Sequence, residues 1–375
     1  MPSGALQRRV ERVLADADVR IGGTRPWDLR VHDPHFYARV LAQGSLGLGE
    51  AYMDGGWDAD SLDGLLFRLL SARIDRRVRG VRDLADGLRA WFVNLQRRTR
   101  SFEVGRRHYD LGNDLYRAML GARMVYSCGY WRQAQTLDAA QEAKLDLICR
   151  KLQLHPGLRL LDIGCGWGEL LKFAAGRYGV AGVGITVSQR QAEHARELCA
   201  GLPVEIRLQD YRDVHERFDR IASVGMFEHV GAKNYARFFD VARRCLADDG
   251  PDQGLFLLHT IASNISVTHT DPWIGRYIFP NSMLPSAAQM ARGCEGRFVL
   301  EDWHGFGPDY DRTLQAWRGN VEAAWPSLPD YDERFRRMWR FYLSASMALF
   351  RARRAQLWQL VLSPHGITGG YEAVR

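Results

Sequence analysis

Cysteine is scarce in this chain, with six residues in 375, and no two of them form a C-x-x-C pair. This scattered spacing argues against a disulfide framework and against a zinc site, and it fits a reducing cytoplasm. No apolar run approaches the roughly 18 residues that a membrane span needs. Residues 1–14, "MPSGALQRRVERVL", also lack the apolar core of a secretory signal. We therefore expect a soluble or peripheral protein.

Lysine is rarer still, with four residues, so nearly all of the positive charge behind the net charge of +7 is arginine. The arginines cluster within residues 73–82, 97–107 and 334–354. Such clusters are either solvated helix faces or a surface for an anionic partner, which would be nucleic acid or an anionic lipid. Charge alone does not choose between these interpretations.

The chain changes character near residue 137. Residues 1–95 are predicted to be a mostly helical domain, because turn signals such as "IGGTRPWD" and "MDGGWD" punctuate helical patterns. Residues 96–136 are predicted to be a connector and active-site flap, and residues 137–375 a catalytic domain. In that last part, apolar segments such as "LRLLDIG", "VAGVGIT" and "GLFLLHTI" alternate with amphipathic helices, one with Ser188 as its N-cap. This alternation predicts an α/β doubly wound sheet, with residues 262–297 inserted as a lid or acyl-pocket wall.

A glycine-rich motif follows the first predicted strand of the catalytic part. The segment "LLDIGCGWGEL" has the spacing G-x-G-x-G, which disfavours a dinucleotide site, and no phosphate-loop G-K-[ST] follows it. An acidic residue before the glycines resembles the first motif of the Rossmann-like class I S-adenosylmethionine-dependent methyltransferases. The resemblance implies that S-adenosylmethionine contacts this loop, at Asp162, Gly164, Cys165, Gly166 and Gly168.

The second strand departs from that methyltransferase pattern. Many members place a carboxylate at its end to bind the ribose, whereas this chain has "GITVSQRQ". We expect Thr186 and Gln191 to supply those hydrogen bonds, because an amide both donates and accepts. Contacts to the adenine are expected from Gln209, Asp210 and Tyr211, which follow the third strand.

A longer series of motifs narrows the resemblance. From residue 108 onward, "HYDLGNDLY", "YSCGYW", "LDIGCGWG", "GITVSQRQ", "VGMFEHVG", "YIFPN" and "FGPDYDRTLQAW" occur in order. Together with "GTRPWD" and "GSLGLGEAYMDGGW" in the N-terminal part, they resemble the cyclopropane-fatty-acyl-phospholipid synthase family. The resemblance implies addition of the S-adenosylmethionine methyl group across a cis double bond of a phospholipid acyl chain. Loss of a proton and ring closure follow, and the family also implies a bound bicarbonate ion and a homodimer.

Polar residues lie at the ends of three separate segments, two of which are predicted strands. Glu228 comes after "DRIASVGM", His259 ends "GLFLLHTI", and Tyr310 follows "RFVLEDWHGFG". Because ligand sites of doubly wound sheets form beyond the carboxyl ends of the strands, we expect these side chains near the glycine loop. The resemblance implies that bicarbonate is held there by Cys128, Glu228, His259, the backbone of Ile261, and Tyr310.

The segment "YSCGYW" poses a question about Cys128, which could be a nucleophile, an inert core residue or a pocket wall. We expect an uncharged thiol, because a thiolate beside a sulfonium would itself be methylated. Tyr126 and Ser127 are expected to touch the cofactor. His108 and Tyr109 are candidates for a flap that closes the site.

Three rival functions would also be compatible with a basic chain that binds S-adenosylmethionine. A nucleic acid methyltransferase is disfavoured because no N/D-P-P-Y/F motif and no Pro-Cys nucleophile is present. A non-catalytic adaptor would not need the polar residues at the strand ends. Within the family, methyl or methylene branching without ring closure could use the same residues. The expected protein binds no metal and no nucleic acid, and it works in the cytoplasm at the inner, anionic face of the cell membrane.

Overall fold

The computed structural model describes residues 3–74, 112–248, 253–267 and 269–375. The helices of these residues, in chain order, are α1 (Ser3–Ala15), α2 (Phe36–Gln43), α3 (Ser45–Met53), α4 (Leu62–Ser71), α5 (Asn113–Leu120), α6 (Leu137–Lys151), α7 (Glu169–Tyr178), α8 (Gln189–Leu198), α9 (Tyr235–Cys245), α10 (Pro272–Tyr277), α11 (Ala287–Cys294), α12 (Pro308–Ala324) and α13 (Glu333–Arg351). The strands are β1 (Arg30–Val31), β2 (Trp57–Asp58), β3 (Arg159–Ile163), β4 (Ala181–Thr186), β5 (Val204–Leu208), β6 (Arg220–Val224), β7 (Leu255–Ser263), β8 (Val299–Gly305) and β9 (Ala355–Ser363).

The chain forms two compact units, and neither is continuous in sequence. The first consists of Met1–Val93, Thr268–Pro280 and Tyr310–Ala355, and the second of Asn94–Val267, Asn281–Asp309 and Gln356–Arg375. The predicted catalytic domain, 137–375, therefore differs from the observed grouping. The physical reason is that α10 and α13 bury their apolar faces against α3, and α13 also packs on α4. Periodicity shows that such a face exists, but not which surface covers it.

The first unit is mostly helical among its described residues, as predicted, with one short antiparallel pair in which Val31 faces Trp57. Trp57 is fully buried, and its Nε1 donates to the carbonyl of Leu48 at 3.0 Å. Its ring packs against Tyr52 and Phe341, so it joins α3 to α13. Burial of each such aromatic side chain contributes about 1.5–3 kcal/mol.

The third arginine cluster lies on α13 and at its end, and it serves contacts inside this unit. Its carboxylate pairs are Arg334 with Asp54, Arg337 with Asp58, Arg340 with Glu322, and Arg351 with Asp63 and Asp311. In addition, Arg336 donates to backbone carbonyls, including that of Tyr331 at 2.9 Å. These five arginines therefore tie α13 to its neighbours. Apart from Arg73, the first two clusters lie outside the described residues.

The second unit is built on a seven-stranded sheet in the order β5-β4-β3-β6-β7-β9-β8. The ladders from β5 to β7 are parallel, and β8 pairs with β9 antiparallel. Five of these strands coincide with the predicted apolar segments, and the predicted cap Ser188 accepts a hydrogen bond from the Gln191 N–H. The doubly wound α/β class is confirmed. The strand β9 was not predicted.

Alternate residues of the strands enter two hydrophobic cores, one on each face of the sheet. On β7, Phe256 and Leu258 pack with α9 on one face, while Leu255 and Leu257 pack with α6, α7 and α8 on the other. This is the period of two that a strand imposes, and burial on both faces explains the continuous apolar runs. Among the described residues, the helices are too short or too polar to cross a lipid bilayer.

Candidate active site

The topology of the second unit fixes where a ligand can bind. Strands β3 and β6 are neighbours, and the chain proceeds from β3 toward one edge of the sheet and from β6 toward the other. Ligands of doubly wound sheets bind beyond the carboxyl ends of the strands at such a switch point. Asp162 lies near the end of β3, Glu228 follows β6, and His259 lies on β7. The structure therefore brings these predicted residues to one edge.

The glycine loop has a backbone that only glycine adopts readily. Gly164, Gly166 and Gly168 have φ angles of +86°, +55° and +93°. A Cβ atom on Gly164 would also lie 2.7 Å from the Cβ of Met226, which follows β6. Cys165, predicted with the loop, instead buries its side chain in the core and donates its N–H to the carbonyl of Ile185. The loop itself leads directly into α7. Since the first N–H groups of a helix have no partner within the helix, they can bind a ligand.

Asp162 is almost fully buried at the end of β3. Its Oδ1 atom makes no hydrogen bond within the described part of the chain. Burial raises the pKa of this carboxyl to about 7, although Lys144 opposes the shift. A buried acceptor without a partner costs about 1–3 kcal/mol. A bound ligand with an N–H or O–H donor would recover that cost.

The residues predicted to contact the ribose lie together at the end of β4. The hydroxyl of Thr186 donates to Oε1 of Gln191 at 3.0 Å, and both side chains are buried. Thr186 also accepts the N–H of Ser188 at 3.2 Å, which fixes the turn into α8. The pair is held in place before any ligand binds.

The residues predicted to contact the adenine are also engaged with the protein itself. Asp210 forms a buried ion pair with Arg212 at 2.8 Å, and Gln209 donates to the carbonyl of Asp213 at 2.9 Å. The ring of Tyr211 lies edge-on to Phe238 in the core. These contacts shape the loop after β5.

The segment "YSCGYW" lies against α6, with Ser127, Cys128 and Trp131 buried and both tyrosines partly exposed. Gly129 approaches Ala140 so closely that an added Cβ would lie 2.9 Å from its Cβ, and Tyr130 donates its N–H to the Ala140 carbonyl. The thiol of Cys128 is fully buried and donates to the carbonyl of Gly129 at 3.1 Å. Ser127 is also buried, and its Oγ accepts a hydrogen bond from Nζ of Lys144 at 2.9 Å.

Aromatic rings connect this segment to the glycine loop. Tyr116 on α5 packs edge-on against Tyr126 at 5.3 Å and tilts against Trp167 at 5.2 Å. Trp167 lies between Gly166 and Gly168 in the glycine loop. Tyr126, which was predicted to touch the cofactor, is therefore linked to this loop through the ring of Tyr116. Its neighbour Trp131 donates its N–H to the carboxylate of Asp309 at 2.7 Å.

Glu228 lies in a short 3-10 helix, Phe227–His229, directly after β6. Its Oε1 accepts the N–H of Ile261 at 2.7 Å, while Oε2 has no hydrogen-bond partner among the described residues. Burial raises the pKa of the carboxyl to about 7, even though the Ile261 N–H favours the charged form. The backbone of Ile261 was predicted to contact the anion. In the structure its N–H donates to Glu228, because the backbone of β7 passes within reach of the carboxylate.

His259 is a buried, neutral donor. Its Nδ1 faces Nε2 of Gln359 at 3.2 Å, and an amide N–H at that position leaves the ring proton on His259 Nε2. Nε2 has no hydrogen-bond partner within the described ranges. Burial, together with the positive charges of Lys144 and Lys151 and the His304 ring, lowers the pKa of His259. The ring therefore stays uncharged and can donate from Nε2.

Tyr310 belongs to the first unit, whereas the other four predicted anion-site residues belong to the second. Its ring is buried against Phe350 at 4.6 Å and edge-on to Trp317 at 5.9 Å. His108 and Tyr109, the predicted flap residues, lie outside the described residues. No cluster of His, Cys, Asp and Glu able to hold a metal occurs in the part of the chain that the structure describes.

Two polar residues at this edge were not predicted, namely Lys144 and Gln359. A signal for Lys144 was present, because it stands with Gln141 and Ile148 at helical spacing on the buried side of α6. A lysine on an apolar helix face, in a chain with so little lysine, marks a polar contact in the interior. Gln359 lies on β9, the strand that sequence reasoning missed.

Comparison with known proteins agrees with this geometry. The family model described as mycolic acid cyclopropane synthetase matches residues 96–360. A cyclopropane-fatty-acyl-phospholipid synthase of Escherichia coli strain K12 is 50% identical over 379 residues, covering 100% of this chain and 97% of its own length. The chain belongs to the cyclopropane synthase family. The resemblance seen in the motifs and the predicted enzyme class are thereby confirmed.

Two further comparisons bear on fold and chemistry. The structure of the mycolic acid cyclopropane synthase CmaA1, complexed with SAH and CTAB, matches with a TM-score of 0.64 and 32% identity, covering 70% of this chain and 98% of that one. The predicted class I methyltransferase fold is confirmed. The tuberculostearic acid methyltransferase UfaA1 of Mycobacterium tuberculosis is 33% identical over 362 residues, covering 90% of this chain and 83% of its own length.

Proposed function

We propose that this enzyme adds a methylene group, derived from the methyl of S-adenosylmethionine, to the cis double bond of an unsaturated phospholipid acyl chain to form a cyclopropane ring. Bicarbonate is the proposed proton acceptor. One observation carries the proposal beyond family membership. A buried acceptor, Glu228 Oε2, and a buried donor, His259 Nε2, both lack partners among the described residues at the edge of the sheet where the glycine loop lies.

The residues at the switch point fit S-adenosylmethionine. The glycine loop keeps side chains away from the ligand, and Oδ1 of Asp162 offers an acceptor for the ammonium of its amino-acid part. Thr186 and Gln191 form a fixed polar pair at the end of β4 for the ribose. When bound, S-adenosylmethionine supplies the methyl group to the alkene, and bicarbonate takes up the proton released on ring closure.

The donor set at Glu228 and His259 fits bicarbonate by its chemistry. Bicarbonate carries one O–H and two oxygens that share a negative charge, so its binding site needs at least one acceptor and one donor. Glu228 Oε2 can accept from the O–H, and His259 Nε2–H can donate to an oxygen. Because burial and the nearby positive charges keep His259 neutral, it donates without losing a proton to the bound anion.

The remaining residues protect the reaction. A carbocation would be captured by a strong nucleophile such as a thiolate. The thiol of Cys128 instead donates a hydrogen bond to the Gly129 carbonyl. That hydrogen bond favours the protonated thiol over the thiolate. The rings of Tyr126 and Trp131 present faces that can stabilise positive charge. Burial of Cys128 and Trp131 also helps to exclude water, which would otherwise trap the cation.

Branching without ring closure is the second candidate. It is favoured by the 33% identity to a tuberculostearic acid methyltransferase, whereas ring formation is favoured by 50% identity to a cyclopropane synthase over the whole chain. The two outcomes share the methyl transfer and differ in the fate of the cation. Loss of a proton from the added methyl closes the ring, whereas a 1,2-hydride shift before that proton loss gives the methylene branch. The same residues could serve both.

The test is lipid analysis from a bacterial host that lacks its own cyclopropane synthase and expresses this chain. Mass spectrometry should show unsaturated phospholipids gaining one methylene unit. A methylene branch has the same mass, so NMR must then show cyclopropane ring protons. Olefinic methylene signals instead would overturn ring formation, and unchanged lipids would overturn the proposal altogether.

We further propose that the enzyme works as a homodimer bound peripherally to the anionic inner face of the cell membrane. The net charge of +7 supports attraction to such a surface. Because arginines of the third cluster form ion pairs with carboxylates of the protein, we expect arginines outside that cluster to provide most of the attraction to the membrane.

A further inference from the structure

Two of the few lysines in this chain are buried on the same helix, α6, and they differ in their partners. Lys151 Nζ donates to Asp302 at 3.0 Å and lies 3.2 Å from Nδ1 of His304. Lys144 is equally buried, but its Nζ makes a single hydrogen bond among the described residues, to Ser127 Oγ at 2.9 Å. A buried ammonium with no carboxylate bonded to it is costly. Lys151 thus has an evident structural partner, and Lys144 does not.

The direction of the Lys144 hydrogen bond controls what Ser127 can do. An ammonium only donates, so Ser127 Oγ must accept from Lys144 with one of its lone pairs. The hydroxyl proton of Ser127 is then directed away from Lys144 and is available to a ligand acceptor. The carbonyl of Ser127 is fixed as well, because Gln141 Nε2 donates to it at 2.8 Å. Ser127 is therefore held as a donor at a defined position.

The charges around Lys144 come from several elements. Burial disfavours its charged form and lowers its pKa to about 8, while the carboxylates of Asp162 and Glu169 favour the charged form. The thiol of Cys128 is a further titratable neighbour, and the charge of Lys144 in turn contributes to the lowered pKa of His259. An anionic group bound at Ser127 would add the close negative charge that this ammonium lacks.

We propose that Lys144 is a positioning residue that orients the Ser127 hydroxyl toward the carboxylate of the amino-acid part of S-adenosylmethionine. Lys144 also supplies positive potential for that carboxylate. This inference rests on the proposed function, because it takes S-adenosylmethionine as the ligand of the glycine loop. Asp162 provides the complementary acceptor for the ligand ammonium, so the two ends of the zwitterion have separate partners.

The test compares two ligands that differ only in the amino-acid part. S-adenosylhomocysteine carries the carboxylate and ammonium, and 5′-methylthioadenosine lacks both. Isothermal titration calorimetry of Lys144→Met should show S-adenosylhomocysteine bound at least about tenfold more weakly, with 5′-methylthioadenosine within twofold of the unaltered enzyme. The matched control is Lys151→Met, the same change on the same helix, which should leave both affinities within about twofold.

Two further measurements separate positioning from a merely structural role. In a Ser127→Ala background, Lys144→Met should cost distinctly less affinity for S-adenosylhomocysteine than it does in the unaltered enzyme, because the part of its effect that acts through the hydroxyl is then already lost. Affinity should also fall more steeply above about pH 8 in the unaltered enzyme than in Lys144→Met, since the ammonium loses its proton there. Titration of the ligand's own amino group is common to both proteins and cancels.

The outcomes distinguish this inference from the proposed function. If the unaltered enzyme binds neither ligand, the proposed function fails. If it binds S-adenosylhomocysteine but Lys144→Met binds both ligands normally, or loses both equally, the positioning role is overturned. Selective loss of S-adenosylhomocysteine, with the pH dependence reduced, supports it.

Discussion

Replacing Glu228 by glutamine changes one group of the candidate site while keeping its size. In the structure Oε1 accepts the Ile261 N–H at 2.7 Å, and Oε2 is a buried acceptor without a partner in the described part of the chain. The amide oxygen of a glutamine would take over the Ile261 N–H. Its NH2 group would then lie where Oε2 was, so a position that accepts a hydrogen bond would become one that donates. Bicarbonate could no longer direct its O–H toward residue 228.

The size of the effect follows from the loss of a hydrogen bond to a charged group. Such a bond contributes about 1.5–3 kcal/mol. Since each 1.4 kcal/mol corresponds to a factor of ten, kcat/KM should fall roughly ten- to hundredfold. The stability of the folded protein, in contrast to its activity, should not fall in the Glu228→Gln variant. Burial raises the pKa of Glu228 to about 7, so above that pH the folded protein bears the cost of a buried charge that glutamine removes. We expect Tm to stay unchanged or rise.

The assay is steady-state turnover on unsaturated phospholipid vesicles, with and without added bicarbonate, across a pH series. If the carboxylate is the active form, the unaltered enzyme should lose activity as pH falls below about 7. The Glu228→Gln variant should lack that limb of the profile and respond less to bicarbonate. Near-normal turnover of this variant at pH 8, with the low-pH limb retained, would refute the role assigned to Glu228.

Three other predictions test neighbouring features. Cys128→Ser keeps a small donor and should lower turnover less than about tenfold, whereas abolished activity would point to a chemical role for the thiol. Gly164→Ala combines a φ of +86° with a Cβ 2.7 Å from Met226 and should weaken S-adenosylhomocysteine binding at least about tenfold. Its control is Gly201→Ala, where φ is +81° but nothing lies within 4 Å, and equal loss in both would remove the loop argument. Co-sedimentation with anionic vesicles should weaken as salt rises, and equal binding to zwitterionic vesicles at low salt would contradict membrane docking by charge.

The parallel part of the sheet could be predicted because its signals are local. Strands β3, β4, β6 and β7 are short, mainly apolar segments, and β5 alternates apolar and charged residues. Glycine ends α7, where Gly179 adopts a left-handed conformation. The cap at Ser188 is a local hydrogen bond of the same kind. The edge at which the site forms then follows from topology alone, since parallel strands all end on one side. These features need no information about distant contacts.

The strand β9 and the grouping of α10 and α13 could not be predicted in that way. The segment "AQLWQLVLS" forms a strand between β7 and β8 in the sheet. Its own residues do not indicate which strands it pairs with. Similarly, α13 carries arginines that resemble an exposed basic face. Their partners, such as Asp54 and Asp58, lie about 280 residues away in the chain. The pattern of arginines on α13 therefore resembled a membrane-binding surface, whereas in the structure these side chains form ion pairs within the first unit.

The site shows the same division between local and distant information. Glu228 was found because it follows β6, and His259 because it was expected to end a strand, although it lies inside β7, opposite Val224 at the end of β6. The hydrogen bond from the Ile261 N–H to Glu228 depended on how closely β7 approaches the short helix after β6. Lys144 and Gln359 were missed because their roles depend on hydrogen bonds to Ser127 and His259, which belong to other elements. Both orient groups that the sequence had already indicated. Residues that contact a ligand can thus be recognised from their position in the sheet topology. Residues that orient those side chains can be recognised only from the buried hydrogen bonds in the structure.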